Sequence, residues 1–254
     1  MTKFPEIDKY AGIKSPLHNW DPRARLISIL FLIYSINLIQ DLGTALIGFL
    51  IAILLVTISK IPIPFILGYM KWVTLFVLSL LIILSLTVPG REVFSFYILS
   101  ISAEGLYKGS LVSLRAFTSI MLVFPMIGTT RFDNTLKALE KLGIPNKFVQ
   151  AIMFTYRYIF VLIDEFHRMT KSLKARGFKR GTNVYTMKTL GKAIGMLFVR
   201  SYERAENVYN AMISRGYTGT IRTLAEFRMC NMDWIKAFTV IGIAISLHGV
   251  SFIG

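Results

Sequence analysis

FILGYMKWVTLFVLSLLIILSLTV, Phe65 to Val88, carries a single charge, Lys71, and is closed by Pro89-Gly90. As a helix rising about 1.5 Å per residue it would reach roughly 36 Å, more than the ~30 Å hydrocarbon core of a bilayer. So long an apolar run reads as a transmembrane helix. Just upstream, Ile61-Pro62-Ile63-Pro64 cannot continue a helix, because proline lacks the backbone donor and restricts its predecessor. Before that break lies a second apolar run, Thr44–Ser59, and the tight Gln40-Asp41-Leu42-Gly43 loop separates it from a third, Leu26–Ile39. The third gains spanning length if Arg25 and Gln40 snorkel to the interfaces. Downstream are Gly105–Gly128, which contains Pro125, and Trp234–Ile253, with Trp234 as an interfacial anchor. Arg91–Glu104 mixes aromatic and polar residues. It reads as a partly interfacial loop, with Phe94–Leu99 open to a split or re-entrant path.

Composition agrees with a membrane protein. At 54% hydrophobic and a mean hydropathy of +0.57, the 254-residue chain is more apolar than the usual ~45–50% of soluble domains. A net charge of +15 would suit a nucleic-acid binder, but such a protein has no need of spanning runs, so no nucleic-acid partner is expected. One cysteine, Cys230, excludes a disulfide framework and a cysteine metal cluster within the chain. The first apolar run begins near Leu26, after Pro5, Pro16 and Pro22, so no cleavable signal peptide is expected. Arg131 to Lys236 hold 19 of the 29 basic residues against 8 of the 14 acidic ones. The N-terminal segment and the Lys60–Lys71 turn are basic too, whereas the Gln40–Gly43 turn and the C-terminus are not. The positive-inside rule then gives an all-α, polytopic protein of about five spans. Residues 1–25 form a cytoplasmic N-terminal segment, 26–128 four spans, 129–233 a cytoplasmic insert and 234–254 a last span whose end lies outside.

The insert keeps helical periodicity. Phe132, Leu136 and Leu139 share one face of a short helix over Phe132–Leu142, ended by Gly143. A long helix is expected from Pro145, with Phe148, Ile152, Tyr156, Ile159, Ile163, Phe166, Met169 and Leu173 stepping by three or four. A second carries Leu190, Ile194, Leu197, Ala205, Val208 and Met212. The first ends in Ala175-Arg176-Gly177-Phe178, the second in Ser214-Arg215-Gly216-Tyr217. Glycine just past a helix permits the left-handed cap, and a cation on the last turn complements the helix dipole. One such ending is common; two on successive basic amphipathic helices form a degenerate repeat.

With these two endings, the chain resembles the transmembrane coupling (T) components of energy-coupling-factor ABC importers, and among them the CbiQ-type subunits of cobalt and nickel systems. The family's paired Ala-Arg-Gly motifs correspond to Ala175-Arg176-Gly177 and Ser214-Arg215-Gly216, the second with Ser for Ala. Further matches are Ile7-Asp8-Lys9-Tyr10-Ala11, Ser15-Pro16-Leu17-His18, Asp21-Pro22-Arg23, Arg115, Thr129-Thr130 and Gly143-Ile144-Pro145. The resemblance implies that Arg176 and Arg215 dock into grooves on two ABC ATPase subunits on the cytoplasmic face. It also implies that the helices hold a substrate-binding S component in the membrane, for cobalt first, nickel next, and a vitamin such as biotin behind them. A prokaryotic plasma membrane is the implied location.

The chain has no Gly-x-x-x-x-Gly-Lys-Ser/Thr, Gly-x-Ser-x-Gly or His-Glu-x-x-His pattern, and His18, His167 and His248 are scattered. Neither catalysis nor a bound cofactor or metal is therefore expected of it. Three other readings are a self-contained transporter, a membrane-embedded enzyme and a conventional ABC permease. They predict, respectively, broken-helix repeats, clustered acids or histidines at the membrane edge, and one short coupling loop; the sequence has none of these.

Overall fold

The computed structural model describes residues 13, 15–96, 99–179, 181–219, 227 and 229–253; the Ile7–Ala11 match lies outside them. The described part is helical apart from one hairpin. It separates into two compact units, Lys3–Ala138 with Phe227–Gly254, and Leu139–Glu226.

In the first unit, α1 (Pro22–Leu38) starts four residues before the apolar run. Asp21 accepts from the backbone N–H of Arg23 at 2.9 Å, and Pro22 fills the first turn, where its missing donor costs nothing. Asp41 caps α2 (Leu42–Ser59) in the same way, accepting from the N–H of Thr44 at 3.1 Å. That bond, with others, holds the Asp41 carboxyl below its ordinary pKa. The proline-rich break stands where expected, and α3 (Ile63–Thr87) begins with Pro64 in its first turn. α4 runs Ala103–Ile127 and α8 Asn231–Ile253. By length and composition α2, α3 and α4 suffice to cross a membrane. α1, at 17 residues, gives about 25 Å of helix.

Residues 91–104, read as a partly interfacial loop open to a split or re-entrant path, hold a hairpin. Glu92–Phe96 (β1) and Leu99–Ser102 (β2) pair antiparallel, with Phe94 opposite Ile101 and Phe96 opposite Leu99. Val93, Phe94, Phe96, Tyr97 and Ile98 are residues that favour strands, and pairing satisfies backbone groups that an irregular loop would leave open. Ser102 joins the hairpin to α4, donating to the carbonyl of Val88 at 2.6 Å and accepting from the N–H of Gly105 at 3.0 Å.

α4 packs against α1, α2 and α3, and α8 against α1. Gly105 and Gly109 bring α3 and α4 together. A Cβ on Gly105 would lie 2.7 Å from the Leu84 carbonyl oxygen, and one on Gly109 3.3 Å from that of Leu81. This is the small-x-x-x-small device of membrane helix pairs. Ile29, Leu32, Ile36 and Leu122 are fully buried between the helices. Trp72, Leu75 and Phe76 of α3 are each more than 60% exposed, as lipid-facing residues are.

Arg25 corrects the sequence reading most sharply. Rather than snorkelling, it is fully buried. It donates to the Leu17 carbonyl at 2.9 Å and to Thr130 Oγ1 at 2.8 Å, and Thr130 Oγ1 meets Thr135 Oγ1 at 3.0 Å. One guanidinium thus ties α1, the turn before it and the junction of α4 with α5 (Phe132–Lys141).

Candidate functional site

The second unit is built on α6 (Asn146–Ala175) and α7 (Val184–Ser214). Pro145 is the N-cap of α6 rather than its first residue, and Asn183 caps α7 by accepting from the N–H of Thr186 at 3.0 Å. The helices run antiparallel where they meet. Glu165 of α6 pairs with Arg200 of α7, while Gln150, early in α6, accepts from the Tyr217 hydroxyl beyond the end of α7 at 2.6 Å. The amide of Gln150 also donates to the Gly219 carbonyl at 3.1 Å and to Asn146 Oδ1 at 2.7 Å.

The two helix ends are built alike. Ala175 and Ser214 are the last helical residues, and Arg176 and Arg215 the C-caps. Gly177 and Gly216 follow at φ 84° and 82°. The N–H of Gly177 bonds the Lys174 carbonyl at 3.0 Å and that of Phe178 the Leu173 carbonyl at 3.0 Å. Their counterparts are Gly216 to Ile213 at 2.9 Å and Tyr217 to Met212 at 3.0 Å. Both are Schellman closures, in which the left-handed glycine lets the chain turn back and satisfy the last carbonyls. Of the aromatics that follow the glycines, Phe178 is buried with its ring beside that of Tyr185 of α7, and Tyr217 is half-buried with its hydroxyl on Gln150 of α6.

This closure presents the arginines. Arg176 and Arg215 are exposed, and neither forms an ion pair among the described residues. Arg176 lies about 16 Å of helix beyond Glu165, and Arg215 about 22 Å beyond Arg200 in the opposite direction. The two cations therefore stand at opposite ends of the pair, up to about 38 Å apart. Lys171, Lys174 and Lys179 surround the first with further exposed positive charge.

Part of the expected apolar stripe is not where the helices join. Phe154, Tyr158 and Leu162 of α6 and Ala205, Val208 and Met212 of α7 line an apolar cleft of about 690 Å³ between them. Phe148, Ile152 and Ile163 instead lie open, at 66%, 43% and 45% exposure, while Ile159 lines the cleft. Gln150 went unread in the sequence, since a lone glutamine on an amphipathic helix carries no signal. Among the described residues no group of three His, Cys, Asp or Glu side chains comes together to hold a metal.

Residues 13–225 match the family CbiQ, described as "Cobalt transport protein". The chain belongs to the CbiQ family. CbiQ relatives cover most of its length. An uncharacterised protein of Methanocaldococcus jannaschii is 32% identical over 224 residues, 85% of this chain and 76% of the relative. The energy-coupling factor transporter transmembrane protein EcfT of Heliobacterium modesticaldum is 28% identical over 229 residues, 86% of each chain. EcfT of Bacillus subtilis is 29% identical over 228 residues, 84% of each. This CbiQ chain is thus a T component of an energy-coupling-factor transporter, a membrane subunit without catalytic activity of its own.

Proposed function

We propose that this chain transmits ATP hydrolysis from two ABC ATPase subunits, docked at Arg176 and Arg215, to a substrate-binding S component in the membrane. Two identically closed helix ends set far apart, each presenting an exposed arginine with no ion pair among the described residues, are the observation that carries this reading. An arginine held on a rigid cap keeps its fork pre-aligned for bidentate bonds to carboxylates in a groove. Seated and desolvated there, it becomes an interface hot spot worth about 2 kcal/mol or more. Drawing the two ATPases together on ATP binding would bring the docking points closer. The crossing of α6 and α7 would then change, and their open apolar faces give an S component something to follow. The family description supports cobalt as the transported ion, with nickel next; a vitamin such as biotin ranks behind both.

The archaeal and bacterial relatives support a prokaryotic plasma-membrane location, and the loop charges support a cytoplasmic N-terminus and α5–α7 region. The apolar cores of α1 and α8 support five spans with residue 254 outside. A periplasm-active reporter fused after Gly254 reads that side directly, and its silence would sink the five-span topology.

The decisive test is co-purification with ABC ATPase subunits in detergent. Wild type should bring down both ATPases, and Arg176→Glu with Arg215→Glu should bring down neither, while inserting in the membrane normally. Equal recovery from the two proteins sinks the docking role. Radioactive cobalt and nickel uptake by cells carrying the whole complex then separates the substrates. Uptake of neither ion removes the metal assignment.

A further inference from the structure

The two capped ends of the α6–α7 pair carry unlike charge. From Phe166 to Tyr202 the sequence holds nine lysines and arginines and no aspartate or glutamate, whereas Glu203 to Arg215 hold two charges of each sign. Because the helices run antiparallel, the first stretch folds into one half of the pair. Lys171 and Lys174 lie about 8 and 3 Å of helix before Arg176, and Lys179 follows it three residues on. Lys188, about 18 Å of helix before Arg200, comes to the level of Arg176. All four lysines are exposed, and none forms an ion pair among the described residues.

Arg215 has a different setting. The nearest charges along α7 are Glu206 and Arg204, of opposite sign and about 14 and 16 Å of helix away. Its neighbours there include the exposed Tyr209 and Ile213. Across the pair, Lys147 of α6 precedes Gln150, the residue bonded to Tyr217. Compartment alone does not explain the contrast, since both ends lie in one region of the chain and the positive-inside rule treats them alike.

A specific protein interface covers about 800 Å² on each partner, a patch reaching about 16 Å from its centre. A protein seated on Arg176 therefore covers Lys174 and Lys179 too, well inside a footprint that lipid headgroups cannot enter. Covering several like charges is costly unless carboxylates meet them. A protein seated on Arg215 covers mostly apolar and neutral surface.

We infer that the Arg176 end docks its ATPase by charge, on a surface with carboxylates around the groove that takes the arginine, while the Arg215 end docks by apolar contact around a single arginine. This rests on the reading above, in which each arginine seats an ATPase, and adds the chemistry that each end recognises.

The test reads ATPase recovery in detergent against salt for the full chain with one end disabled. With Arg215→Glu, docking rests on the Arg176 end, and recovery should fall roughly tenfold from about 50 to about 500 mM NaCl. With Arg176→Glu it rests on the Arg215 end, and recovery should change by less than about twofold. Lys171→Gln with Lys174→Gln, added to Arg215→Glu, should flatten the salt dependence. Lys147→Gln with Arg157→Gln removes as much charge from the other half and should leave that dependence standing. With both arginines in place, the lysine pair should still lower the NaCl concentration that halves recovery. No such shift overturns the proposal, even where a single end holds no ATPase. Equal salt dependence of the two ends overturns it as well. So does a lysine effect confined to nanodiscs that contain phosphatidylglycerol, since the lysines then meet lipid. Recovery that ignores both arginine changes at every salt overturns the docking reading itself, and is told apart because neither single-end chain then differs from wild type.

Discussion

Gly177 and Gly216 sit at φ 84° and 82°, and a Cβ built on either meets nothing within 4 Å. Their requirement is therefore conformational, not steric. A side chain in the left-handed region costs about 1–2 kcal/mol, and the closing bonds of Phe178 and Tyr217 depend on that geometry. We expect Gly177→Ala and Gly216→Ala each to loosen the last turn of its own helix by roughly that amount. Amide hydrogen exchange at 173–178 or 212–217 should rise, with the spans unaffected and ATPase recovery weakened though not abolished. Unchanged exchange at those amides would mean that the caps hold without glycine.

α6 and α7 are held together by contacts of very different worth. The Glu165–Arg200 pair is half exposed on the arginine side, and such pairs contribute about 0–1 kcal/mol. Gln150 is buried and makes three hydrogen bonds, to Tyr217, Gly219 and Asn146. Replacing it removes the partner of the half-buried Tyr217 hydroxyl and of the Gly219 carbonyl on an exposed residue, at about 0.5–1.5 kcal/mol for each hydrogen bond lost. Gln150→Leu should therefore free the segment after α7 and expose it to limited proteolysis near Gly219. Arg200→Ala should leave the proteolytic pattern as it was. The opposite order would assign the helix crossing to the ion pair.

For the membrane unit as a whole, Arg25 joins parts far apart in sequence: Leu17, α1 and the α4–α5 junction at Thr130. Its two strong bonds are made in full burial, with its Nε left without a partner, so the site tolerates little error. Arg25→Leu keeps the bulk but leaves the Leu17 carbonyl without its donor, at about 1–3 kcal/mol. Thermal unfolding in detergent should shift down by several degrees, and more for Arg25→Ala, which adds a cavity. A melting point equal to wild type in both would show that this junction holds without the guanidinium.

The sequence by itself determined the apolar helices, the break at Ile61–Pro64, the short helix and two long ones of the insert, and the repeated Arg-Gly endings. Each is a local property, set by hydropathy, periodicity and backbone chemistry within a few neighbouring residues. The motif residues Ala175, Arg176, Gly177, Ser214, Arg215 and Gly216 were legible because left-handed capping is also local. Only the tertiary structure decided that Arg25 goes inward, because a basic residue flanking an apolar run looks the same whether it meets water or Thr130. The same holds for Gln150, whose partners lie 67 and 69 positions away. It holds for the side of α6 that faces α7, since an apolar stripe specifies burial but not the partner that provides it. The hairpin at Glu92–Ser102 belongs with these, because strand pairing needs a second segment in register and no single stretch encodes one.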